Sequence, residues 1–238
     1  GLAAARAFAE AGMTVVIGDL SADSVASSAS SLPNGGHHGV AFDVSDEAAV
    51  AHAFSSIEAE VGPIAVLAHF AGISGHPVNG FARSIAGLEL ADWDRVMAVN
   101  ARGAFLCIRE MIRLRTRRPV PLGRIIAVSS MAAQNGGLNS GPGYVASKGA
   151  VMSFVKVAAR EAAPLGMTVN TIAPGAIDTP MLRSVMPPEK DEAYCVNVPV
   201  GRVGTPEEIA ATAAFLASPA ASYITGACID VNGGMRMQ

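Results

Sequence analysis

The chain has 238 residues, of which 50% are hydrophobic and 16% charged, with a formal charge of −3. That size and apolar content suit one domain built on a sheet covered on both faces. The charge balance gives no electrostatic case for nucleic acid, and no apolar run approaches the roughly 20 residues that span a bilayer.

The chain reads as strands and helices in alternation. Leu2 to Ala11 is helical and stops at Gly12, a typical C-terminal signal. Thr14 to Ile17 is a short β-branched strand, with Asp19 just beyond it. Ser24 to Leu32 is a polar helix, and Gly39 to Phe42 the next strand. Ser45 is expected to cap a helix that runs to Val61, with Asp46 and Glu47 in its first turn. Ala65 to His69 is a strand. Long helical patterns cover Trp93 to Leu114 and Gly143 to Ala163, on either side of the strand Arg124 to Val128. Thr168 to Ile172 and Ala227 to Val231 are further strands, and Thr205-Pro-Glu-Glu208 is a capping box. This order predicts βαβ units and an α/β fold: a doubly wound, mostly parallel, Rossmann-like sheet in three αβα layers. Ligands of such sheets bind at the carboxyl ends of the strands. Asp19, Asp43, Gly72, Ser130 and Pro174 all fall at such ends.

Cys107, Cys195 and Cys228 are odd in number and have no metal-like spacing, so they read as free thiols of a reducing compartment, the cytoplasm. His37, His38, His52, His69 and His76 form no ligand pattern either, and no metal is expected.

Tyr144 and Lys148, four apart in a helical segment, project from one face. A phenol is a poor acid or base at neutral pH, and an ammonium beside it favours the phenolate, so Tyr144 is expected to have a lowered pKa and to exchange protons. Ser130 follows a buried apolar strand fourteen residues upstream. Asn100 interrupts an apolar helical stretch, Val96 to Ala104, where an unpaired amide would be costly; it should have a partner.

Together these residues make the chain resemble the short-chain dehydrogenase/reductase family over essentially its whole length. The resemblance implies a catalytic tetrad of Asn100, Ser130, Tyr144 and Lys148. Tyr144 would exchange the hydroxyl proton, Ser130 would bind the carbonyl oxygen, Lys148 would tune Tyr144, and Asn100 would hold a water. Cofactor contacts are implied at Gly1, Asp19, Asp43, Val44, Ala71, Gly72, Tyr144, Lys148, Pro174, Gly175, Ile177 and Thr179. An acid at 19 without a nearby base favours NAD over NADP. The family usually has two Asn before Ala71-Gly72; here His69 and Phe70 stand there. The implied reaction is hydride transfer between a secondary alcohol or ketone and NAD. A catalytically idle nucleotide-binding regulator of the same fold is the rival. Met131, Gln134, Asn135 and a loop region at about 180–200 are expected to line the substrate pocket. The small, apolar helix from Gly143 to Ala163 implies a homotetramer. The family also opens with a strand and a Gly-rich loop whose final glycine matches Gly1, so a strand upstream of residue 1 is expected.

Overall fold

The computed structural model describes residues 1–75, 84–137 and 140–237. Six strands appear there: β1 (Val16–Asp19), β2 (His38–Ala41), β3 (Val66–His69), β4 (Arg124–Val128), β5 (Thr168–Pro174) and β6 (Cys228–Val231). The helices are α1 (Leu2–Glu10), α2 (Ala22–Ser30), α3 (Glu47–Glu60), α4 (Leu90–Met97), α5 (Gly103–Arg117), α6 (Ala132–Asn135), α7 (Pro142–Ala162), α8 (Pro180–Arg183), α9 (Asp191–Cys195) and α10 (Pro206–Ala217).

All ladders are parallel, as the βαβ order requires. β3, β4, β5 and β6 form one sheet in that order, β1 and β2 a second one, and among the described residues no ladder joins β1 to β3. Alternation along β4 builds two cores. Ile125 and Ala127 face a cluster made with α3, α5 and α7, whereas Ile126 faces one made with α1 and α10. Both faces of the sheet are thus covered, giving the three expected layers. No described helix is long and apolar enough to cross a membrane.

Two local expectations are corrected. β1 spans Val16–Asp19 and not Thr14 to Ile17, and Asp19 is its last residue, at the strand end as expected. Asp46, not Ser45, caps α3: its carboxylate accepts from the N–H groups of Ala48 and Ala49. Ser45 is already committed, because its N–H and its hydroxyl both donate to the Asp43 carboxylate at 2.8 Å.

The long helical pattern around Trp93 to Leu114 is one continuous rod from Leu90 to Arg117, but Ala98–Arg102 in its middle is a π turn. Such a turn carries an extra residue and often marks a functional position. Gly103 follows it, where a Cβ would stand 2.9 Å from Val44 Cγ2 and 3.3 Å from the Val44 carbonyl oxygen. The bare glycine therefore lets α5 close on the segment after β2. Gly103→Ala should cost about 1–3 kcal/mol of stability in urea unfolding, the usual effect of overpacking a filled site. An unchanged midpoint would mean that Val44 yields freely.

Candidate active site

The site grows from the first two turns of α7. Pro142 at its N-terminus fixes the helical φ at the first position, and Tyr144, Ser147 and Lys148 follow on one face. Lys148 is 5% exposed, and its Nζ donates to the carbonyl of Val128, the last residue of β4, at 2.8 Å. The next residue, Ser129, donates its hydroxyl to the Lys148 carbonyl at 2.8 Å. α7 is thereby pinned to the end of β4 at two points. Burial lowers the Lys148 ammonium to a pKa of about 8.

Asn100, on the π turn, has the partners its burial demands. Its Oδ1 accepts from the Ile73 N–H at 2.8 Å, while its Nδ2 donates to the Ile73 carbonyl at 2.9 Å and to Ser147 Oγ at 3.0 Å. Ser147 Oγ donates in turn to the Tyr144 carbonyl at 2.8 Å. One amide thus ties the π turn, the segment after β3 and α7 together. A Cβ on Gly72 would lie 3.2 Å from both Asn100 Oδ1 and Lys148 Nζ, so the backbone passes close to both. Ser130, 8% exposed at the end of β4, accepts from the Ala132 N–H at 3.1 Å and hydrogen-bonds Tyr144. The four sequence-predicted tetrad residues therefore converge.

The expected electrostatics of Tyr144 need correction. Its phenol lies above the ordinary value, because burial outweighs the opposing hydrogen bond from Ser130. Lys148 Nζ stands 5.9 Å from the ring centroid, and its charge is not among the causes that move the phenol. Desolvation is the dominant influence on both groups, and it favours the neutral form of each.

The residues expected around a dinucleotide fall on both sheets. Asp19, exposed at the end of β1, accepts from the Ser21 N–H at 3.3 Å, and Asp43 and Val44 follow β2. Ala71 and Gly72 follow β3, and Gly1 precedes α1 with its Cβ position 3.6 Å from Phe70 Cβ. Pro174 ends β5, and a Cβ on Gly175 would stand 2.9 Å from Asn232 Cα. Ile177 bridges Gly204, and Thr179 caps α8 by accepting from the Leu182 N–H at 3.3 Å while donating to the Ile177 carbonyl at 3.2 Å. A nicotinamide dinucleotide fits this arrangement: an exposed carboxylate closes β1, and bare glycine backbone meets the lysine at the end of β3. Asp19 ends a strand of the two-stranded sheet and Asp43 follows its other strand, whereas the tetrad lies on the four-stranded sheet and the helices against it.

Two of the expected pocket residues have defined surroundings. Met131 is buried, and Gln134 donates to Asp230 on β6 at 2.8 Å. Arg183, in the loop region, donates to Asp178 just before it at 2.7 Å and to Asp191 within it at 2.6 and 2.9 Å. Ser147 and Ile73, which hold Asn100, carried no sequence signal beyond their spacing from it. His69 ended a predicted strand and departed from a family pattern; it is 6% exposed at the end of β3, and burial first, with Lys148 second, lowers its pKa to about 3.

That burial has a consequence for stability. The unfolded imidazole binds a proton below about pH 6.5, whereas the folded one refuses it until about pH 3, so this group destabilises the fold as pH falls through that window. His69→Asn should therefore flatten the loss of Tm between pH 7 and about pH 4. Parallel curves for the variant and wild type would show that His69 is not held neutral.

A family profile described as enoyl-(acyl carrier protein) reductase matches residues 1–236. The chain is 36% identical to a 3-oxoacyl-acyl-carrier-protein reductase of Aquifex aeolicus, covering 99% of this chain and 92% of that one. It is 39% identical to a galactitol 2-dehydrogenase (L-tagatose-forming) of Cereibacter sphaeroides, covering 98% and 89%. Among solved structures, a protein of Agrobacterium tumefaciens assigned as a gluconate dehydrogenase superposes with a TM-score of 0.89 at 31% identity, covering 99% of this chain and 91% of that one.

Proposed function

The chain belongs to the short-chain dehydrogenase/reductase family and is an oxidoreductase, and from that premise we propose that it interconverts a secondary alcohol and its ketone with NAD. The convergence of Tyr144, Ser130, Lys148 and Asn100 at the ends of β3 and β4 carries this reading.

In it Tyr144 gives its proton to the carbonyl oxygen during reduction and takes it back during oxidation. Its raised pKa keeps it protonated at neutral pH, which suits the donor role. Ser130 donates to the same oxygen and stabilises the charge that develops there. Lys148, fixed by Val128, would hold the ribose of the nicotinamide and return protons to Tyr144. Asn100 acts through structure: with its amide spent on Ile73 and Ser147, a relay water would meet the backbone of its π turn. Gly1, Asp19, Asp43, Val44, Ala71, Gly72, Pro174, Gly175, Ile177 and Thr179 would hold the dinucleotide, which when bound exchanges hydride with the substrate carbon. Asp19 at the end of β1 favours ribose hydroxyls over a 2′-phosphate, hence NAD over NADP.

The relatives' names range from a carrier-bound 3-oxoacyl group to galactitol and gluconate. A substrate screen should therefore span carrier-linked ketones, polyols and sugar acids, and residues 180–200 are where selection among them would occur. The protein would work as a homotetramer in the cytoplasm. Phe105 on α5 is 40% exposed in edge-to-face contact with Phe154 on α7, and Val157 beside them is 62% exposed, so these two helices offer an apolar face to a second copy.

Tyr144→Phe should lower turnover by at least about 10²-fold while NAD affinity stays near wild type, since the phenol acts on substrate. A Phe variant with near-native turnover would remove Tyr144 from proton transfer. The wild type should show the higher kcat/KM with NAD, and Asp19→Ser should narrow the gap; equal values for both cofactors in the wild type would contradict the assignment. Light scattering should give four times the protomer mass, and a monomer would refute the assembly.

A further inference from the structure

His69 has no role in the site as described, yet its placement is unusual. Val66, Ala68 and Phe70 pack in the cluster of α1 and α10, and Leu67 in that of α3, α5 and α7. The two-residue period of a strand therefore turns His69 toward the α7 side, the side of its ladder partner Ala127 and of Lys148. There the ring is 6% exposed and its buried Nε2 has no protein partner among the described residues. Lys148 is the described charge that acts on it, Tyr144 is the other titratable group of that turn, and the neighbouring Leu67 and Ala127 are apolar. Gly72, three residues on, lies against Lys148 Nζ and Asn100 Oδ1, so the strand end that carries His69 runs directly into the lysine's surroundings.

We propose that His69 is a positioning residue for Lys148, its neutral imidazole accepting at Nε2 from the buried ammonium through a bridging water. A lone buried acceptor is costly and an ammonium has three protons to donate, of which the Val128 carbonyl takes one. A water between them has polar partners on both sides, the condition for ordered water in an interior. Burial lowers the Lys148 ammonium to a pKa of about 8, near enough to neutral pH to matter, and an acceptor beside it favours the charged form. His69 thus helps keep the ammonium that Tyr144 needs at neutral pH, and its own neutrality is what permits this, since a cationic ring would repel Lys148. The inference rests on the role given to Lys148 above.

The test is a titration of Lys148 by NMR in full-length protein labelled with 13Cε-lysine, the resonance being assigned with Lys148→Met. The sequence here has three lysines, so overlap is small. The wild-type midpoint is expected near about 8. His69→Leu, which removes the acceptor, should lower it by about half a unit or more, and His69→Asn, which keeps a neutral acceptor, should hold it close to wild type. A folded Leu variant with an unchanged midpoint overturns the proposal. If His69→Leu does not fold, the 15N spectrum of wild-type histidine decides: Nε2 must carry the lone pair, and a proton there overturns it. Neither readout needs turnover, so failure of the oxidoreductase reading would show in the substrate screen and leave these titrations standing.

Discussion

The buried ammonium of Lys148 is the constraint on which the site depends. A charge taken out of water must find donors' partners inside the protein, and here it finds the carbonyl that ends β4. That bond and the one from Ser129 Oγ to the Lys148 carbonyl fix where α7 crosses the sheet. The crossing in turn sets Tyr144 beside Ser130 and brings Ser147 to Asn100. The rest of the fold supplies what surrounds the burial: apolar layers on both faces of the sheet, and a strand end whose carbonyl accepts from the ammonium.

The backbone contributes as much as the side chains. A π turn aims the Asn100 amide at Ile73 when a regular helix would rotate it elsewhere, and both hydrogen-bonding groups of Ile73 are then held. Gly72 leaves Asn100 and Lys148 room to approach the chain, and a methyl group there would stand 3.2 Å from each. Asn100, Gly72 and Lys148 therefore form a single packed unit drawn from three elements. Disturbing any of them would be felt at Tyr144 without touching it.

The layers and the parallel order were legible because a buried parallel sheet writes itself as short apolar runs between amphipathic helices. That Tyr144, Lys148, Ser130 and Asn100 belong together was legible through the family resemblance that their types and order carry. The Ser45 cap was misplaced since two adjacent residues could serve, and only the competing pull of Asp43 on Ser45 decides between them. The π turn left no periodic trace, as one extra residue in a rod of this length is lost among its apolar positions. The pKa of Tyr144 was misread for a different reason. Spacing on a helix says that Lys148 is near, but only the fold says that burial outweighs it. His69 was visible as an odd residue, and its meaning depended on which face of β3 it occupied.

The most direct test of the central claim is a crystal structure of the full-length protein with NAD and a substrate ketone or alcohol. The account places the nicotinamide ribose against Lys148, with Gly72 backbone beside it, and the substrate oxygen within hydrogen-bond reach of both Tyr144 and Ser130. A dinucleotide bound away from Lys148, or a substrate oxygen that meets neither hydroxyl, would contradict it.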